Sequence, residues 1–324
     1  MRATSRLADL LHDGQFVVTA ELTSSDSADP EVVARNGEML RGVVDAINCT
    51  DNTGAHVHLS AIAAAHLLVE RGIEPIMQVT VRDRNRLALQ ADLLGAAALG
   101  VRNIVVMSGD DVTAGDHPDA RRIYDIDSMQ LIEVAAGMRD RAVYLSGRKL
   151  GQPPAFFIGA VENPFAPPLE FRPLRLQKKV RAGAQFIQTQ LVFDVPIFTR
   201  FMRMVDDLGL LDQVFIIPSI GIPRSARGAR FMKEKVPGLH VPDAVIDRME
   251  RTPPARQAEE GIAIAVELVS EIRQIRGIAG VHLIGIKWEE GVARVAEAAG
   301  LLPRPTHEPL PFPSPARGGG QGRG

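Results

Sequence analysis

The feature that most constrains this chain is a repeated punctuation: an apolar helical stretch, a glycine, then a short β-branched run. The β-rich runs fall at 16–22, 44–50, 74–81, 102–108, 155–162, 185–192, 214–220 and 281–286, eight in all. Between them, amphipathic stretches at 30–41, 58–71, 84–99, 127–140, 171–182, 195–208 and 225–235 predict helices, with two more at about 242–250 and 254–276 before the eighth run and a last at 288–299. Several of these helices stop at a glycine, such as Gly72, Gly100 and Gly300, as helix ends favour. Strands alternating with helices give a parallel sheet covered on its faces. Eight such units fit a single-domain α/β protein, a (β/α)8 TIM barrel over residues 1–302. A doubly wound open sheet is the alternative, because closure is not written in local sequence.

The ends of the runs carry polar chemistry. Glu21 closes FVVTAEL, Thr50-Asp51-Asn52 follows DAINC, Ser108-Gly109-Asp110 follows NIVVM, Glu162 closes FFIGAV, and Gln190 lies in FIQTQLVFD. In a closed barrel these residues converge on the C-terminal rim, where barrel enzymes place their chemistry. The long connections 109–126 and 159–173, rich in Gly, Asp and Pro, then lie side by side as rim loops.

Composition narrows the classes. The 324 residues are 45% hydrophobic and 23% charged, with net charge −2, so nothing marks a nucleic-acid or membrane surface. No apolar run reaches membrane-spanning length and no signal-peptide core is present, so a cytoplasmic protein is expected. The one cysteine, Cys49, excludes an intramolecular disulfide and fits a reducing compartment. Residues 303–324 (PRPTHEPLPFPSPARGGGQGRG) lose all apolar periodicity, which predicts a disordered Pro/Gly/Arg-rich tail.

Each candidate residue has two readings. Glu21, among apolar neighbours, reads either as a general acid with a raised pKa or as a carboxylate bonded to loop amides. Asp110, after a glycine that permits close approach of a ligand, reads either as a ligand anchor or as an Asx-turn residue. Asp111 reads as loop structure. His56 and His58, with Cys49 nearby, lack further partners at metal-ligand spacing, and no metal site is expected. Cys49 inside an apolar strand reads as packing. Neither a GxGxxG after a strand nor a GxxxxGK[ST] occurs. Two basic sets, Arg172/Arg175/Lys178/Lys179/Arg181 and Arg224/Arg227/Arg230, read as solvated helix faces or as phosphate holders.

Taken together, TAELTSS, NIVVMSGDD, ENPFAPPLEFRPLRLQKKVRAGAQFIQTQLVFD, IPSIGIPRSARGARFMKEKVPGLHVPD and GVHLIGIKWEE resemble the methylenetetrahydrofolate reductase family over almost the whole of residues 12–300. The AGAxFIQTQxVFD segment is the most specific piece. The resemblance implies a flavin-binding barrel that uses FAD in a ping-pong reaction: NADH or NADPH reduces the flavin, which then reduces 5,10-methylenetetrahydrofolate to 5-methyltetrahydrofolate, a step that feeds methionine synthesis in some relatives. It implies Glu21 as general acid, Asp110 between flavin and pterin as catalytic and binding residue, and Gln190 as a substrate contact. Thr50, Ser108, Gly109, Asp110 and Lys179 are implied on the cofactor side, with Lys179 near the phosphates. A homo-oligomer is also implied.

Some positions depart from the family's better-known bacterial pattern. Gln78 stands where a flavin-contacting histidine is common, Val161 where an aromatic residue often lies, and Lys287-Trp288 where an Asn-Arg pair occurs. These departures keep a protein electron donor open beside NAD(P)H. Two other classes remain: a flavin-independent pterin-binding barrel methyltransferase or lyase, and a non-catalytic folate-binding subunit of a one-carbon complex.

Overall fold

In the computed structural model, residues 5–305 are described, except Ser24 and Pro237. Eight parallel strands close into a barrel in chain order. They are β1 (Val17–Glu21), β2 (Ala46–Cys49), β3 (Pro75–Thr80), β4 (Asn103–Met107), β5 (Phe157–Glu162), β6 (Phe186–Leu191), β7 (Phe215–Gly221) and β8 (Gly280–Ile284). Closure is made by β1, which pairs β2 through Thr19↔Ala46 and β8 through Val17↔Gly280. The open-sheet alternative is thereby excluded.

The helices are α1 (Arg6–His12), α2 (Pro30–Leu40), α3 (Ala61–Glu70), α4 (Arg86–Ala98), α5 (Ser128–Asp140), α6 (Arg172–Ala182), α7 (Val195–Asp207), α8 (Ala226–Lys235), α9 (Asp243–Arg251), α10 (Gln257–Ile272) and α11 (Glu289–Ala298). Asp29 caps α2 with Pro30 in its first turn, and Asp127 with Gln130 forms a capping box on α5. The helix expected from 58 starts instead at Ala61, because the Ser60 hydroxyl accepts the Ala63 N–H and so sets the cap there. His56 and His58 lie in the preceding loop, where His58 pairs with Asp26.

Period-2 alternation divides each strand between two cores. Outward residues such as Val18, Ala20, Ile47 and Leu283 join the helices in the main core. Inward residues Val17, Ala46, Ile76, Val105, Phe157, Phe186 and Ile217 fill the floor of the lumen. There Phe157 and Phe186 stack at 4.9 Å between centroids. The Phe186 ring occupies the space a side chain at Gly159 would need: a Cβ there would lie 2.4 Å from the ring. Gly159→Ala is therefore expected to cost about 1–3 kcal/mol by overpacking, measured as a lower midpoint in urea with unchanged slope.

The helix α1 was not anticipated. Its Leu7, Leu10 and Leu11 are buried and plug the floor, and His12 packs edge-on to Phe215 at 5.2 Å. The segment expected as a tail begins against the barrel. Arg304 reaches back to the floor, donating to the Phe16 and Leu301 carbonyls at 2.7 and 2.8 Å and pairing with Asp45, whose side chain is fully buried. Arg304 thus ties the start of this segment to the floor, and 306–324 lie outside the described residues. Among the described residues no helix is long and apolar enough to cross a membrane.

Candidate active site

Polar residues two apart within one strand share a face, and four strands use this to build the upper lumen. Above the apolar floor lies a buried polar layer. Asn48 donates to Gln188 at 2.7 Å and accepts from it at 3.1 Å, across the barrel. Thr19 bonds His282 Nδ1 at 2.9 Å. Burial pushes the His282 imidazole down to about 3, so the ring is neutral. One step higher on the same faces come Glu21 (from Thr19), Thr50 (from Asn48), Thr80 (from Gln78) and Gln190 (from Gln188).

Glu21 ends β1 in the mouth. Burial, which disfavours the charged form, raises its carboxyl to about 7; the Asp110 charge adds to this, and a hydrogen bond from Gln78 Nε2 at 3.3 Å opposes it. A carboxyl balanced near neutrality can hold a proton at working pH and release it.

Asp110 stands on the rim beyond β4. Gly109, at φ +87°, turns the chain there; a Cβ would press Thr80 and Arg82 at 3.2–3.3 Å. Asp110 Oδ2 accepts the Gly54 N–H at 2.9 Å, and the Asp110 carbonyl accepts from Arg82 Nη1 at 2.9 Å. The side chain of Arg82, 3% exposed, also pairs with Asp83, so a buried cation bolts the loops after β3 and β4 together. Neighbouring Asp111 is loop structure: it caps the turn at Thr113 and pairs with Arg122, whose guanidinium holds its carboxyl well below the usual range.

The remaining expected residues are spread around this centre. Thr50 is buried just past the end of β2. Ser108 turns its hydroxyl toward Ser128 at 3.4 Å, at the start of α5. Gln190 Oε1 accepts the Leu191 N–H at 2.9 Å. Lys179, 5% exposed, sits behind the wall on α6, where its ammonium donates to the Val161 carbonyl and to the buried Glu162. Two of its three N–H donors are used there. In the second basic set, Arg230 pairs with Glu250, while Arg224 lies 5.2 Å over the Trp288 ring. Sequence reasoning missed Gln78 as a partner of Glu21 and missed the polar layer. The i, i+2 polar pairs Thr19/Glu21, Asn48/Thr50 and Gln188/Gln190 were the available signal.

A closed barrel whose mouth gathers a carboxyl raised to about 7, rim amides, hydroxyls and a second carboxylate defines a class: a (β/α)8 barrel with a polar, acid-bearing mouth. The comparison with known families is specific. The methylenetetrahydrofolate reductase profile matches residues 6–300, and the chain belongs to that family. It is 24% identical over 246 residues to a probable methylenetetrahydrofolate reductase (NADPH) of Caenorhabditis elegans, covering 75% of this chain and 34% of the relative. It is 25% identical over 265 residues to methylenetetrahydrofolate reductase 2 of Schizosaccharomyces pombe, covering 77% and 39%. The chain thus spans only 34–39% of the length of these relatives.

Among solved structures, an uncharacterized Clostridium thermocellum protein that binds two copies of 5-methyl-5,6,7,8-tetrahydrofolic acid superposes with a TM-score of 0.61 at 15% identity, covering 92% of this chain and 99% of that one. EDTA monooxygenase from Chelativorans sp. BNC1 gives 0.54 at 11% identity, covering 91% and 96%. At these identities the likeness is one of fold.

Proposed function

We propose that this chain reduces 5,10-methylenetetrahydrofolate to 5-methyltetrahydrofolate, with FAD as the hydride carrier and NADH or NADPH as donor, the two substrates visiting the same rim in turn. The observation that carries this reading is Glu21, a rim carboxyl pushed up to about 7 by burial in a barrel of this family.

The donor set suits a flavin. Its ring edge needs both donors and acceptors, and Thr50, Ser108 and Asp110 supply hydroxyl and carboxylate groups, while the side-chain-free Gly109 admits a flat ring close to the backbone. Lys179 is the ammonium this reading assigns to a phosphate oxygen, to which it would turn from Glu162. The flavin, when bound, supplies the hydride.

The protein's own part is acid catalysis and positioning. Glu21 donates its proton to the ring nitrogen that leaves as the five-membered ring of the folate opens, which makes the one-carbon unit electrophilic. Asp110, fixed by Gly54 and Arg82, retains lone pairs to accept N–H bonds from the pterin, and Gln190 offers a neutral amide to the substrate. Oligomerisation and a cytoplasmic setting belong to this reading, and a protein electron donor is its variant.

The direct test is product formation. Protein with FAD, NADH or NADPH and 5,10-methylenetetrahydrofolate should yield 5-methyltetrahydrofolate by chromatography; unchanged folate with either nucleotide and with chemically reduced flavin would refute the reading. The pH profile follows from the sign of the Glu21 shift. The acid is active while protonated, so folate reduction should be flat below about pH 7 and fall by about tenfold per unit above it. Flavin reduction by the nucleotide should lack this limb, which half-reaction rates measured across pH will check.

A further inference from the structure

Gln78 is 7% exposed and comes from β3, on the lumen side of the barrel. Its Nε2 donates to Glu21 Oε2 at 3.3 Å. An amide N–H can only donate, so the oxygen it faces must accept. In a protonated carboxyl the carbonyl oxygen is the better acceptor, so this contact favours the hydrogen on the other oxygen. We infer that Gln78 is a positioning residue for Glu21: it fixes the plane of the carboxyl, reserves Oε2 as an acceptor and leaves Oε1 as the atom that carries the transferable proton. This rests on the general-acid role proposed for Glu21.

Two consequences separate this role from packing. The first is orientation. A carboxyl on three rotatable bonds at the barrel mouth would sample several directions, and a partner on one oxygen removes most of them. The second is acid strength. An N–H donor stabilises the carboxylate, so Gln78 opposes the rise caused by burial and by the Asp110 charge. At 3.3 Å the bond is long, so the effect is orienting and moderate.

Other ionisable groups around Glu21 are engaged elsewhere or neutral. Asp110, on the loop after β4, is tied to Gly54, and Asp51, after β2, accepts from Thr80 and Arg84. Glu289, on α11, accepts from the Thr23 N–H, and His282, a layer below on β8, is neutral.

The test compares Gln78→Met, which keeps length and loses the donor, with Gln78→His, which restores an N–H donor. Two readouts are needed: the pH profile of the folate half-reaction, and direct titration of Glu21 by carboxyl-labelled NMR in the flavin-loaded protein. Gln78→Met should move the Glu21 pKa and the kinetic limb upward together by about half a unit to one unit. It should also lower the folate kcat by about tenfold with KM little changed. Gln78→His should return the limb toward its original place.

If Gln78→Met lowers the rate but leaves both the titration and the limb unmoved, Gln78 acts by packing and the inference is overturned. Failure of the underlying reading looks different: Glu21→Gln would reduce folate at the original rate. The NMR titration of Gln78→Met would still decide whether Gln78 sets the protonation of Glu21.

Discussion

Glu21→Gln is expected to slow folate reduction by about 10²–10⁴-fold, the usual worth of a positioned general acid, while flavin binding and flavin reduction by the nucleotide stay largely unchanged. The glutamine amide is isosteric and can still face Gln78, but it has no proton to give to the leaving nitrogen. The mouth suits the proposed acid. Thr19 and Glu21 share one face of β1, the layer beneath is polar and hydrogen-bonded, and the carboxyl is raised to about 7 chiefly by burial. Stopped-flow measurement of the two half-reactions separates the outcomes. Loss in the folate step alone supports the acid, loss in both points to a damaged cofactor site, and loss in neither removes Glu21 from the chemistry.

Arg304→Ala is expected to destabilise the barrel by about 3 kcal/mol, because it leaves a buried carboxylate with only the more distant Arg6 as a cation. Asp45 is held by the Val18 N–H at 2.7 Å and by Arg304 on both oxygens, while Arg6 stands 3.9 Å from Oδ1. This pair joins β1, the start of β2 and the last described residues on the floor, far from the mouth. Equilibrium unfolding in urea measures it, and the Asp45→Asn/Arg304→Met double variant should recover part of the loss, since the buried charge goes with its partner. Truncation after residue 302 should resemble Arg304→Ala, and a truncated chain as stable as the full one would show that the segment contributes nothing.

The strands were legible because β-branched runs bounded by glycines are a local signal. All eight lie within two residues of their expected ends, from β1 at Val17–Glu21 to β8 at Gly280–Ile284. Closure was not legible, since it depends on β1 meeting β8 across most of the chain. The helix α1 was missed because RLADLLH is too short for a periodic signal; its helical state depends on the floor it plugs. Arg304 looked like tail because its composition context is Pro-rich, and its partner Asp45 is 259 residues away.

At the site, Glu21, Thr50, Asp110 and Gln190 could be placed on the rim from strand ends alone. Lys179 could not be placed: its helix position was clear, but its engagement with the buried Glu162 depends on packing between α6 and β5. Gln78 stood out only as a departure from a resemblance, and its bond to Glu21 spans 57 residues.

The visible spectrum of the purified protein supplied with FAD, recorded anaerobically before and after NADH or NADPH and again after 5,10-methylenetetrahydrofolate, tests the central claim most directly. A flavin spectrum that bleaches with the nucleotide and recovers with the folate is predicted. A protein that binds no flavin, or whose chemically reduced flavin is not reoxidised by the folate, would contradict it.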